Sequence, residues 1–157
     1  WYVKGGRRIR EMIYGIDVVY RKQLRQVAIV EAEIDAMTLM SAGVPATATG
    51  GARFSVQQRD LIIRSPIEEV VILRDNDAAG RRWRNDVIGA LKPYVRVKVA
   101  VVPSSAGRYK DVNDFAVCCG LESVRRIIER ARSVRRLSGV GLRLSKCVEI
   151  NRMTGEK

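Results

Sequence analysis

Apolar residues along the chain fall into short unbroken runs, separated by stretches with a helical repeat. Val27–Val30 (VAIV) and Val70–Leu73 (VVIL) are continuous, and Val95–Val102 alternates before it too runs apolar. Short, β-branched, unbroken runs read as interior strands of a parallel sheet, covered on both faces. Ala46–Thr49 (ATAT) adds a short strand of small residues. Between the strands, a helix is predicted over Ile16–Arg25, after a turn at Tyr14-Gly15. Another spans Glu33–Ser41, with Ile34, Met37, Leu39 and Met40 as its apolar side, and a polar one covers Ser55–Ile63. Ala79, Trp83, Val87 and Leu91 then fall at i, i+4, i+8 and i+12, a stripe that packs on a sheet. This places Trp83 in the core in preference to a base-stacking platform. Leu121, Val124, Ile128 and Ala131 make a last amphipathic helix, with Arg125, Arg126, Arg130 and Arg132 on its wet side. Trp1–Arg10, with Gly5-Gly6, predicts a hairpin or a ragged edge strand. Strands alternating with helices imply an α/β fold with a mainly parallel sheet of about four strands and right-handed crossovers.

The strands end on acids. Val27–Val30 runs into Glu31, the central Val70–Leu73 strand runs through Arg74 into Asp75-x-Asp77, and the polar loop Pro103–Asp111 ends at a further acid, with Asn113-Asp114 starting a helix. In open α/β sheets the carboxyl ends of the strands are where ligands bind. Asp75-x-Asp77 alone reads equally as a turn residue and a helix N-cap. Several acids converging on one rim favour a bound cation. Carboxylates without His or Cys suit a hard divalent ion, Mg²⁺ or Mn²⁺. Gly50-Gly51 lets backbone approach a phosphate closely, or is simply a turn.

Charge changes the picture further. The 157 residues hold 29 Lys and Arg against 17 Asp and Glu, a net +12, which points to a polyanion and first to nucleic acid. Trp1–Arg25 alone carries seven basic residues against two acidic ones, a solvated flank or a nucleic-acid contact. Arg81, Arg82 and Arg84 follow the acid pair directly, and either line a solvated helix face or meet phosphates. No apolar run approaches the roughly 20 residues that span a bilayer. The start at Trp1 without Met reads as an excised domain. Cys118, Cys119 and Cys147 form no CxxC pair, and the absence of His excludes Ser-His or Cys-His nucleophilic catalysis within the chain. An odd cysteine count without a framework fits a reducing, cytosolic setting.

Three segments, in order, resemble the Toprim domains of DnaG-type primases and phage primase–helicases. Val27–Gly51 (VAIVEAEIDAMTLMSAGVPATATGG) is similar to their first motif, in which a strand ends in Glu-Gly and an Asp follows shortly. Leu73–Gly80 (LRDNDAAG) is similar to their DxDxAG motif, and Gly107–Phe115 (GRYKDVNDF) to the segment that supplies further acids. Ala32 stands where a Gly usually follows the Glu, and Asn113 where many primases have a second acid.

The resemblance implies a Rossmann-like Toprim fold over residues 27–132. A basic flank at 1–26 would end a preceding primase lobe, and a basic extension would follow at 133–157. It implies Glu31, Asp75 and Asp77 as catalytic, and Glu31, Asp75, Asp77, Asp111 and Asp114 as the Mg²⁺ or Mn²⁺ set. Gly50, Gly51, Arg81, Arg82, Arg84 and Lys110 would contact nucleic acid or phosphate. The implied reaction is metal-dependent nucleotidyl transfer, RNA primer synthesis on single-stranded DNA from nucleoside triphosphates. Partners would include a replicative helicase or a fused helicase domain, with no membrane, in the cytoplasm of a bacterial or phage-infected cell. A helicase P-loop, GxxxxGK[ST], is absent from the sequence. Two other readings stay open: a Toprim nuclease or topoisomerase module that cleaves DNA with the same acids, and a non-catalytic DNA-binding Toprim of a recombination protein.

Overall fold

A computed structural model describes residues 8–74, 78–103 and 109–134. Its sheet has five strands: β1 (Gln26–Val30), β2 (Ala46–Ala48), β3 (Glu69–Arg74), β4 (Arg96–Val101) and β5 (Arg132–Ser133), in the spatial order β2-β1-β3-β4-β5. The first four run parallel, and β5 closes the edge antiparallel to β4, with Val99 opposite Arg132 and Lys98 opposite Ser133. The mainly parallel α/β sheet expected from the apolar runs is borne out. β5 is an addition, and it straddles the boundary expected at 132/133. Two residues are too short for any periodicity to register.

The helices are α1 (Ile16–Lys22), α2 (Glu33–Ser41), α3 (Val56–Arg64), α4 (Ala78–Leu91), α5 (Val112–Cys119) and α6 (Leu121–Glu129). Alternate side chains of a strand point to opposite faces, and both faces are covered. Ala28, Val30, Val71, Leu73 and Ala100 pack with Ala36 and Leu39 of α2, Phe115 of α5 and Val124 of α6. Val27, Ile29, Val70, Ile72 and Val97 pack with Ile62 of α3 and with Trp83, Val87 and Leu91 of α4. Ile13 and Val19 join this second face, so the segment before β1 is tied into the core.

The hairpin or ragged edge strand expected over Trp1–Arg10 falls mainly on residues 1–7, outside the described residues; Ile9–Glu11 is a 3-10 turn, and Tyr14 makes an isolated bridge to Ala48. One local expectation, the apolar face of α2, needs correction. In α2, Ile34 and Met37 are exposed, and the buried side is Asp35, Ala36, Thr38 and Leu39. EIDAMTLMS is apolar on nearly every side, so apolar count does not choose a face. The sheet beneath offers Ala28, Ala46 and Ala48, and the small residues of α2 fit that shallow surface closely.

Candidate nucleic-acid and metal site

The carboxyl ends of β1 and β3 lie side by side. Ile29 is level with Ile72, so Glu31 comes level with Arg74, the last residue of β3. Glu31 is half-buried, its carbonyl accepts the Gly50 N–H at 2.9 Å, and it is engaged elsewhere in the chain as well. Asp75 and Asp77, which follow β3, lie outside the described residues. α4 then begins at Ala78, with Arg81 and Arg82 exposed on its first turns and Arg84 half-buried, donating to Asn85 Oδ1. Arg81 also has a contact within the chain.

The third acid arm is the amino end of α5. Asp111 is the N-cap, its Oδ1 accepting the Asp114 N–H at 2.8 Å, and Asp114 Oδ2 accepts the Lys110 N–H at 3.4 Å. Both carboxylates therefore help start the helix, and each keeps a second oxygen. This arm is drawn to the start of α2, directly after Glu31, because Asp35 Oδ1 accepts the Asn113 N–H at 3.2 Å. Lys110 is exposed beside it.

Gly50 and Gly51 differ. Gly50 has φ +70°, and a Cβ there would meet Ile9 Cγ2 at 2.8 Å and Glu33 Oε1 at 2.9 Å, so its close approach is to the protein itself. A Cβ on Gly51 would meet nothing within 4 Å.

Among the described residues, no three acidic side chains come close enough to enclose an ion. The donor chemistry is nonetheless of one kind. Glu31, Asp111 and Asp114 offer only carboxylate oxygen, as do Asp75 and Asp77, and this fits Mg²⁺ or Mn²⁺ better than Zn²⁺ or copper.

The sequence pattern passed over three residues. Asp35 and Thr38 are buried on α2, and Gln58 of α3 is fully buried. Gln58 Nε2 donates to Met12 O at 2.8 Å and Thr49 O at 2.7 Å, while its Oε1 accepts the Ser55 N–H in a capping box. The available signal was the Asp that follows the Glu of the first motif, here Asp35, and the Ser55-x-x-Gln58 spacing of that box.

The Toprim-like family profile matches residues 28–116, more than half of the chain. The chain belongs to the Toprim-like family. No curated protein sequence matches this Toprim domain. Among solved structures it is similar to the Aquifex aeolicus primase, zinc-binding and RNA polymerase domains, with 25% identity and a TM-score of 0.67, over 82% of this chain and 32% of that one. It is similar to the primase fragment of the bacteriophage T7 primase-helicase protein, with 26% identity and a TM-score of 0.51, over 68% and 42%. A DnaG primase catalytic domain bound to single-stranded DNA shares the fold, at 19% identity and a TM-score of 0.66, over 81% and 41%. This Toprim domain thus spans about a third of the first protein and about two fifths of the other two. The resemblance carried by the three motifs, and the Toprim fold it implied, are borne out. No helix among the described residues is long and apolar enough to cross a membrane.

Proposed function

We propose that the chain is the catalytic centre of a DNA primase or primase–helicase-like replication protein, extending an RNA primer on single-stranded DNA from nucleoside triphosphates. One observation carries the reading: the Asp35–Asn113 contact draws the amino end of α5, capped by Asp111, to the same rim as Glu31. On that rim β1 and β3 end side by side, and Asp75-x-Asp77 follows β3 in the sequence.

Glu31, Asp75, Asp77, Asp111 and Asp114 would hold a Mg²⁺ or Mn²⁺ ion. Such an ion, when bound, supplies charge neutralisation at the triphosphate and eases ionisation of the attacking 3′-hydroxyl. Within the chain, Glu31 is either a further oxygen ligand or the acceptor of the proton that leaves that hydroxyl. Arg81, Arg82, Arg84 and Lys110 bind phosphate oxygens and orient the nucleotide, with no base preference. The open backbone at Gly51 leaves room for a phosphate, while the Gly50 turn holds it in place. A replicative helicase, separate or fused, is the partner such a centre serves, in a bacterial or phage-infected cell.

Two measurements test this. Mn²⁺ should raise the melting temperature of the 157-residue chain, because crowded carboxylates repel one another without it. The Asp75→Asn/Asp77→Asn variant should lose that shift, and an equal shift would show that the ion sits elsewhere. In a full-length protein carrying this domain, Glu31→Gln should abolish primer synthesis while leaving single-strand binding intact. Near-normal synthesis would remove Glu31 from catalysis.

A further inference from the structure

A carboxylate is buried between α2 and α5, and its hydrogen bond crosses from one helix to the other. Asp35 is 2% exposed, and its Oδ1 accepts the backbone N–H of Asn113 at 3.2 Å. That amide belongs to the first turn of α5, where a helix has no intrahelical acceptor to offer. One turn along α2, the Thr38 hydroxyl faces two acceptors, Asn113 Oδ1 at 3.1 Å and Ile34 O at 2.9 Å. Its single hydroxyl proton is shared between them, so the hydroxyl ties the Asn113 side chain to the backbone of α2. A carboxylate at position 113 would add a second negative charge beside Asp35.

We infer that Asp35, Thr38 and Asn113 form a clamp that fixes the amino end of α5 against α2 and thereby positions Asp111 at the rim for a divalent cation. Asn113 is a clamp residue and not a ligand. The three are positioning residues, and the inference rests on the metal reading proposed above. It accounts for a feature of this chain, an amide where a second acid would complete the third motif. Backbone and side chain of Asn113 are both held by α2, so the third acid arm presents Asp111 and Asp114 from a fixed first turn.

The test is a Mn²⁺ titration of the 157-residue chain, followed by electron paramagnetic resonance, with amide exchange at Asn113 read in parallel. Asp35→Asn keeps the acceptor oxygen and removes the charge. Asp35→Ala removes the acceptor, and the near-isosteric Thr38→Val removes the hydroxyl without touching a carboxylate. Asp35→Ala and Thr38→Val should each weaken Mn²⁺ binding about tenfold and speed exchange of the Asn113 amide, whereas Asp35→Asn should stay within about twofold of the parent. Asn113→Asp should melt earlier than the parent in EDTA. If Asp35→Asn loses as much affinity as Asp35→Ala, Asp35 is itself a ligand and the inference is overturned. Unchanged affinity in Thr38→Val, or unchanged melting of Asn113→Asp, overturns it too. A parent chain that binds no Mn²⁺ sinks the metal reading and the positioning role together, while a parent that binds, with every variant alike, sinks the positioning role alone.

Discussion

Trp83 Nε1 donates a hydrogen bond to Thr49 Oγ1 at 3.1 Å, and Thr49 Oγ1 in turn donates to Gly51 O at 3.2 Å. Trp83 is fully buried on α4, and Thr49 follows β2, so one hydroxyl joins the helix after the acid pair to the Gly50-Gly51 turn. The indole is therefore a core side chain whose polar atom is satisfied, as buried tryptophans require.

Replacing Trp83 by Phe should destabilise the chain by about 1–3 kcal/mol, from a lost hydrogen bond and a partly filled cavity. Urea unfolding measures the loss. Single-strand binding by the folded variant should equal that of the parent. A variant with parental stability and impaired DNA binding would make Trp83 a stacking platform after all.

Trp83 was legible because Ala79, Trp83, Val87 and Leu91 recur in the sequence at helical spacing, and β1 and β3 because their runs are apolar on both faces. The places of Glu31, just after β1, and of Asp111, at the start of α5, were legible because each ends a strand or loop in a recognisable motif. What the pattern could not express is a polar group that is buried because a distant element satisfies it. Asp35 needs Asn113, and Gln58 needs Met12 and Thr49, and these pairings exist only in three dimensions. The face of α2 was misread for a related reason: the alanines of β1 and β2 decide which side of it fits.

Gly50→Ala and Gly51→Ala should separate sharply in stability. Position 50 combines a left-handed backbone, which costs a side-chain-bearing residue about 1–2 kcal/mol, with side-chain atoms of Ile9 and Glu33 that a Cβ would push aside. A loss of about 1–2 kcal/mol is expected there, and less than about 0.5 kcal/mol at position 51. Urea midpoints of the two variants decide it, and equal midpoints would contradict the left-handed backbone at Gly50.

Glu69 sets a pH dependence at the opposite end of the sheet. Its side chain is 11% exposed, 2.8 Å from Lys98 Nζ and 3.3 Å from Arg96 Nε, and it accepts from Gln26 Nε2 at 2.6 Å. Burial pushes its carboxyl upward as the largest single influence, but the bonds and charges of Lys98 and Arg96 together hold it below its ordinary value of 4.5. A carboxyl lowered by folding contributes stability above its unfolded value, and that contribution fades as pH falls through the native value. Glu69→Gln should thus be less stable than the parent by about 1–2 kcal/mol at pH 7. The gap should close below pH 4.5. A gap that stays constant from pH 7 to pH 3 would mean that the ion pairs contribute nothing.

The basic residues of α4 yield the last prediction. Arg81 and Arg82 are exposed on the first turns of the helix that follows Asp75-x-Asp77, and a helix amino terminus favours an anion. A solvated face would look the same at rest, so ionic strength must discriminate. Each phosphate contact to a single strand contributes about 0.7 to the slope of log K against log salt, since binding releases condensed counterions. Arg81→Ala/Arg82→Ala should therefore weaken single-strand binding at low salt and flatten its slope by about 1.4 units, without sequence preference. The Mn²⁺-induced rise in melting temperature should persist, because neither side chain can be a ligand. A slope unaltered in the double variant would move the nucleic-acid path to the arginines of α6 or to the amino-terminal flank.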